Sequence, residues 1–266
     1  MPSFKGLEWT FDTAAATYEK FRPGYPDELY QRIFAYLPVS EASRAVEIGI
    51  GAGQATPPIL RTGCEVTAVE YGEKFSAMCR EKFADFSKFS VLTGKFEDVT
   101  LEENAFDLVF SATAFHWIPE EIGYPKVFSI LKSGGVFARF ANHPFPNQNN
   151  PALMDAIQEA YTKYFYPFHN RKPPAALTPY SEEDAIQLAQ TAQKYGFTDI
   201  CHAMFYRTRT FSAQEYLSLL GTYSDHIAIT EPIRSKFYAK IEDAINTHGG
   251  KVEIHDTIDL QLARKP

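Results

Sequence analysis

Between Ala45 and Phe140 the chain alternates short apolar runs with stretches of helical periodicity, the pattern of βαβ units feeding a mostly parallel sheet. Five segments read as strands: RAVEIGI, EVTAVE, FSVLTG, FDLVFSATAF and GGVFARFA. Each is rich in β-branched or aromatic residues and bounded by glycine, charge or turn residues. Between the second and third, EKFSAMCREKF puts Phe75, Met78, Cys79 and Phe83 on one helical face with charges opposite, so that helix packs on the sheet. Gly63 and the pair Gly134-Gly135 fall where helices stop, positions that favour a residue able to adopt the left-handed conformation.

The second half changes character. NHPFPNQNNP is a polar, proline-rich break, followed by an aromatic-rich helix, ALMDAIQEAYTKYFYPF. After KPPAALTPYS, Ser181 with Asp184 forms a capping-box start that opens a helix to about Gly196. Alternation then returns in DICHAMFYRTRTF and KVEIHDTIDLQLARK, with two helices expected between Ser212 and Gly249. The sum is an α/β fold: a seven-stranded, mostly parallel sheet flanked by helices, its last two strands separated by a helical insertion.

Composition keeps this within the ordinary globular range, at 45% hydrophobic and 22% charged residues over 266 positions. The formal net charge of −7 gives no electrostatic reason to expect a nucleic-acid or anionic-membrane partner, which leaves a small-molecule substrate. No segment approaches the ~20 apolar residues of a membrane span, and the first residues lack a signal-peptide core. Three cysteines without a CxxC pair and seven histidines without a HExxH pair indicate neither disulfide framework nor metal motif. A cytoplasmic location is expected.

Candidate chemistry sits at VEIGIGAGQ, where the first strand breaks into three glycines. A glycine-rich turn at this point lets backbone approach a ligand closely, and the following helix is expected to present unpaired N–H groups, with Thr56 and Pro57 as N-cap and first helical position. A dinucleotide fingerprint requires GxGxxG, whereas the sixth position counted from Gly49 is Gln54. Glu70 ends the next strand, where a carboxylate accepts hydrogen bonds from ribose hydroxyls.

Glu47-x-Gly49-x-Gly51-x-Gly53 with Glu70 resembles the first two motifs of class I S-adenosylmethionine-dependent methyltransferases. LTGKFEDV is similar to that family's adenine-holding segment, which implies Phe96 and Glu97 here. FDLVFSATAFHW resembles the fourth-strand motif beside the transferable methyl, which implies Ser111, and SILKSGGVFARF resembles the helix, turn and strand that follow. YEKFRPGYP is similar to the segment that covers the cofactor in small-molecule members, implying Tyr18 and Arg22, the latter toward the cofactor carboxylate. GTYSDH is similar to a C-terminal motif of the same group.

The resemblance implies a Rossmann-like single domain over 1–266: N-terminal lid helices in 1–40, a cofactor core in 41–141, cap insertions in 142–180 and 212–250, and last strands in 197–211 and 251–264. Its cofactor would be S-adenosyl-L-methionine. Gly49 and Gly51 supply close backbone at the amino-acid end; Glu47 either fixes the loop by accepting backbone N–H bonds or meets the cofactor ammonium. His116 is the nearest titratable candidate for a base, needed only if the acceptor must lose a proton; walling the pocket is its other role. Trp117, Phe140 and Tyr223 are expected to face substrate. Tyr164, Phe165, Tyr166 and Phe168 read more readily as core than as pocket, and Arg207 and Arg209 as surface charges. The acceptor atom stays open among O, N and carboxylate. Two other readings also stand: an NAD(P)-dependent oxidoreductase, which shares the glycine turn, and a non-catalytic S-adenosylmethionine-binding module.

Overall fold

A computed structural model describes residues 21–266; Tyr18 lies outside the described residues. The chain divides into two compact units. One, the sheet unit, comprises Pro23–Asn142, Tyr180–Phe205 and Ile258–Pro266; the other, the helical unit, comprises His143–Pro179 and Tyr206–Thr257 with Phe21 and Arg22. The segments expected to be cap insertions thus have a core of their own.

Seven strands form one sheet in the order β3-β2-β1-β4-β5-β7-β6. They are β1 Arg44–Ile48, β2 Glu65–Glu70, β3 Phe89–Thr93, β4 Phe106–Ala112, β5 Leu131–Pro146, β6 Thr198–Ser212 and β7 Lys251–Arg264. The pairs β1/β2, β1/β4, β2/β3 and β4/β5 are all parallel. Strand order reverses at β1, whose end residue Ile48 lies opposite Val69 on one side and Ser111 on the other. A reversal of this kind opens a crevice at the carboxyl ends of the strands.

Both faces of the sheet are covered, as parallel sheets require. On one, Leu29, Tyr30 and Ile33 of α1 (Asp27–Tyr36) pack with Leu108, Phe110, Val136, Ala138 and Ile258. The short α2 (Thr56–Leu60) and α3 (Glu73–Lys82) add Ile59, Cys79 and Phe83 to this face. On the other, Tyr124, Val127 and Ile130 of α4 (Glu120–Ile130) meet Val46, Ile48, Val109 and Phe137. Within 1–40, expected to be a lid, α1 is therefore a core helix, with Leu29 and Ile33 fully buried.

In the helical unit α5 (Pro151–Ala160) runs into a π-turn at Tyr161–Phe165 and the short α6 (Tyr166–Phe168). Back in the sheet unit, α7 (Glu182–Gln190) begins at the expected Ser181/Asp184 capping box, and the chain ends that helical stretch at left-handed Gly196. Three helices, not two, lie between Ser212 and Gly249: α8 (Ala213–Leu220), α9 (Ser224–Ile227) and α10 (Ile233–Thr247). A second capping box, Ser212 with Glu215, starts α8. Leu153, Ile157, Leu219, Phe237, Ile241 and Ile245 form this unit's core, and Phe165 belongs to it, with Tyr164, Tyr166 and Phe168 packed against it. No helix among the described residues is long and apolar enough to cross a membrane.

Phe110 sits at the middle of β4 with no exposed surface. Phe110→Ala is expected to remove about 3–5 kcal/mol of stability, lowering the melting midpoint by about 10 °C; thermal unfolding followed by circular dichroism reads it.

Candidate functional site

The backbone leaves β1 through three glycines in the left-handed region, Gly49 (φ 70°), Gly51 (φ 55°) and Gly53 (φ 74°). Two of them also lack room for a side chain: a Cβ on Gly49 would lie 2.5 Å from the Ala114 Cβ, and one on Gly53 would lie 2.6 Å from the Phe83 ring. Glycine is required here by conformation and by close approach together.

This loop is held from several sides. Gly49 N–H donates to the Val69 carbonyl (2.8 Å), and Gly53 N–H to the Ile50 carbonyl (2.9 Å). The Cys79 thiol and the Lys82 ammonium of α3 donate to the carbonyls of Gly51 (3.1 Å) and Ala52 (2.9 Å). From α1, the Tyr30 hydroxyl donates to the Ala55 carbonyl (3.1 Å). The helix that follows does not supply the expected row of amide donors. Its N-cap is Ala55, and Pro57 and Pro58 carry no N–H.

Glu70 closes the cradle. Its Oε2 accepts from Gly51 N–H (2.9 Å) and its Oε1 from Gly72 N–H (2.8 Å), so the carboxylate at the end of β2 fixes the loop at the end of β1. Glu47 lies beneath. It is buried, its Oε2 accepts from the Thr56 hydroxyl (2.7 Å), and its Oε1 has no hydrogen-bond partner. The bond that Glu47 makes to the loop region thus runs to a side-chain hydroxyl and not to backbone. Burial, with the neighbouring Glu70 charge adding to it, pushes the Glu47 carboxyl up to about 8 against the weaker pull of the Thr56 bond.

At the end of β4, the Ser111 hydroxyl donates to the Ile48 carbonyl (2.9 Å), bridging to β1. Thr113, two residues on, is a non-glycine residue in the left-handed region (φ 55°), a conformation no sequence pattern announces. Its N–H donates to the Phe140 carbonyl, and its hydroxyl lies 2.6 Å from the Tyr25 hydroxyl. Tyr25 belongs to the RPGYP segment, where a Cβ on Gly24 would lie 3.8 Å from the Gln54 carbonyl. That segment therefore runs beside the glycine loop. His116, exposed, and Trp117 form a single 3₁₀ turn after this point, their rings 5.4 Å apart.

Phe96 is buried, with the Lys126 ammonium of α4 5.1 Å from its ring. Lys126 also donates to the carbonyls of Glu97 (3.1 Å) and Val99 (2.5 Å), fixing the whole segment after β3. Burial lowers its pKa while Glu97 and Asp98 oppose the shift. Tyr25, Thr113 and Lys126 were not singled out by sequence; a lysine on an amphipathic helix carries no signal that it faces carbonyls of another segment.

The sheet unit thus holds Glu47, the glycines, Glu70, Phe96, Glu97, Ser111, His116, Trp117 and Phe140. Phe140, expected at the substrate, is instead buried, its ring edge-on to Tyr25 (4.7 Å) and Tyr30 (6.3 Å). Arg22 and Tyr223 belong to the helical unit: Arg22 donates to the Thr222 hydroxyl (3.0 Å) and carbonyl (3.2 Å), its guanidinium 4.2 Å from the Tyr223 ring centre. Arg207 and Arg209 are not surface charges. Both bind the fully buried Asp256, Arg209 through two bonds (2.5 and 2.8 Å) and Arg207 through one (2.9 Å). No group of three or more His, Cys, Asp or Glu among the described residues is placed to hold a metal ion.

Because folding raises Glu47 from 4.5 to about 8, its contribution is complete below about 4.5 and is lost as pH climbs toward 8. Urea unfolding at steps from pH 4.5 to 8.5 should show the protein losing, relative to Glu47→Gln, on the order of 4 kcal/mol across that window. Parallel curves for the two proteins would exclude the buried, proton-holding state.

A family model described as a methyltransferase domain matches residues 46–138, the span from β1 to β5 that carries this cradle. An uncharacterized methyltransferase of Geobacillus sp. is 31% identical over 61% of this chain and 77% of its own length. Another, of Schizosaccharomyces pombe, is 24% identical over 90% of this chain and 88% of its own. Among solved structures, a protein of Anaeromyxobacter dehalogenans assigned as a type II methyltransferase superposes with a TM-score of 0.63 at 18% identity, covering 92% of this chain and 98% of that one, a likeness of fold. These matches set aside the oxidoreductase reading: the chain belongs to the class I S-adenosylmethionine-dependent methyltransferases, with S-adenosylmethionine as its cofactor.

Proposed function

We propose that the chain methylates a small-molecule acceptor, with the cofactor held by the cradle at the ends of β1 and β2. The observation that carries this reading is the glycine loop whose backbone is fixed by Glu70 and beneath which Glu47 keeps one buried oxygen unpartnered. These residues fit the cofactor's parts. The left-handed glycines offer close backbone to its amino-acid end, and Glu47 Oε1 is an acceptor suited to an ammonium. Glu70, at the end of β2, would accept from the ribose hydroxyls, a carboxylate oxygen having two lone-pair sites and so able to take more than one hydrogen bond. Phe96 and Glu97, held by Lys126, take the adenine; Ser111 shapes the end of β4. When bound, S-adenosylmethionine supplies an electrophilic methyl group on a sulfonium.

Transfer of that group is an in-line displacement at carbon, so positioning is the main contribution of the protein. His116 is exposed at the turn after β4, on the same segment that packs Ala114 against Gly49. There it serves as base for a hydroxyl or ammonium acceptor, which must shed a proton; a carboxylate acceptor needs none. The negative net charge supports a small-molecule acceptor over a nucleic acid.

Glu70→Ala removes the acceptor from two backbone N–H groups as well as from the ribose. Calorimetric titration with S-adenosylhomocysteine should show affinity falling about 10- to 100-fold; an unchanged isotherm would take Glu70 out of the site. With a proton-bearing acceptor, His116→Ala should cut turnover about 100-fold while leaving S-adenosylhomocysteine affinity intact. A full-speed variant reduces His116 to a wall residue. Turnover itself is tested by screening small acids, phenols and amines with methyl-labelled cofactor.

A further inference from the structure

Gln54 stands where the glycine loop departs from the dinucleotide pattern. The third glycine of GxGxxG would occupy this position and let helix and strand pack closely; here Gly53 comes one residue early, and a side chain with an amide follows it. Gln54 is half-buried, and its Nε2 is enclosed with no hydrogen-bond partner among the described residues. The strand that leads into the same loop carries a second such atom, Glu47 Oε1. Buried polar atoms in native proteins are nearly always satisfied, so one orphan donor and one orphan acceptor on a single strand-and-loop segment call for a common cause.

The acceptors around Gln54 already hold donors of the protein. The carbonyls of Ile48, Ile50, Gly51, Ala52 and Ala55 accept from Ser111, Gly53, Cys79, Lys82 and Tyr30 in that order. Glu70 accepts from Gly51 and Gly72, and Glu47 Oε2 from Thr56. Gln54 Nε2 bonds to none of them. The bonds to Ile50 and Ala55 also fix the backbone on both sides of Gln54, so its amide is presented from an ordered turn at little further cost in entropy. The cofactor's amino-acid end carries an acceptor, the carboxylate, beside a donor, the ammonium, and each orphan matches one of them. Its other acceptors, on ribose and adenine, belong to Glu70 and to the segment of Phe96 and Glu97, which follow β2 and β3, whereas Gln54 follows β1.

We propose that Gln54 is a cofactor-binding residue whose side-chain amide donates to the carboxylate of S-adenosylmethionine, so that with Glu47 on the ammonium the loop reads both groups of the amino-acid zwitterion. This role rests on the cofactor cradle described above and adds to it a contact to one functional group. It also bears on the reaction. The sulfonium lies between the amino-acid chain and the ribose, so anchoring the carboxylate at Gln54 and the ribose at Glu70 fixes the methyl group from both sides for in-line transfer.

The full chain is titrated calorimetrically with S-adenosylmethionine and with its decarboxylated form, which keeps the ammonium, sulfonium, ribose and adenine. Gln54→Met, similar in length but without a donor, should weaken S-adenosylmethionine about 10-fold or more, since a bond to a charged group is removed. The same variant should bind the decarboxylated form as the wild type does. Gln54→Glu, which keeps the shape and opposes a carboxylate, should weaken S-adenosylmethionine further and leave the decarboxylated form no weaker. Equal losses for both ligands reduce Gln54 to a packing residue and overturn the proposal. An unchanged S-adenosylmethionine isotherm in Gln54→Met, or tighter binding of it by Gln54→Glu, overturns it as well. The wild type separates this role from the reading beneath it: a chain that binds neither ligand overturns the cradle and the Gln54 contact together, whereas a wild type that binds S-adenosylmethionine no better than Gln54→Met does overturns the Gln54 contact alone.

Discussion

One carboxylate makes the cofactor cradle a single object. Glu70 ends β2, yet its Oε2 is spent on the N–H of Gly51, which follows β1, and its Oε1 on Gly72, which precedes α3. A loop of left-handed glycines has high conformational entropy when unrestrained, and a charge-assisted bond to its middle residue removes much of that freedom. Cys79, Lys82 and Tyr30 then fix the carbonyls on the opposite edge of the same turn. The result is a strip of backbone whose amides are oriented before any ligand arrives, which lowers the ordering cost of binding.

That arrangement has an electrostatic consequence. A second acid, Glu47, sits at the end of β1 in the interior, and the Glu70 charge adds to desolvation in disfavouring its ionisation. Two carboxyls near one loop cannot both be charged cheaply in a buried place, so the inner one holds its proton while the outer one accepts amides. An approaching cation changes that balance, since it favours the charged form of Glu47 and meets the one oxygen that lacks a partner.

Much of this was legible in the chain. The five strands from Arg44 onward, the α3 face with Phe75 and Cys79, and the Ser181 capping box follow from periodicity and cap chemistry, because each is fixed by residues close in sequence. The glycine spacing and the position of Glu70 gave the cradle, since left-handed backbone and a strand-end acid are local signals. What stayed hidden depends on residues far apart. That Tyr25 would meet Thr113, that Lys126 would reach the carbonyls of Glu97 and Val99, and that Asp256 would be buried beneath Arg207 and Arg209 are facts of tertiary packing. Alternating arginines on a strand read as solvated charges until a buried carboxylate is placed beside them. Phe140 shows the converse error, an aromatic at a strand end that went to the core because α1 and the RPGYP segment brought two tyrosines onto it.

The two units also differ in what their polar groups have left to do. Around the glycine loop, Glu70, Ser111, Thr113, Lys82 and Lys126 each hold backbone groups in place, so their geometry serves the shape of the cradle and tolerates little change of role. In the helical unit His226 Nδ1 and the Tyr238 hydroxyl are buried without a hydrogen-bond partner among the described residues, while His226 Nε2 meets the Tyr161 hydroxyl. Orphaned polar atoms in a core lower its stability. The two units therefore differ in kind: the loop of the sheet unit is held by bonds from side chains to backbone, whereas the core of the helical unit keeps buried polar atoms without a partner among the described residues.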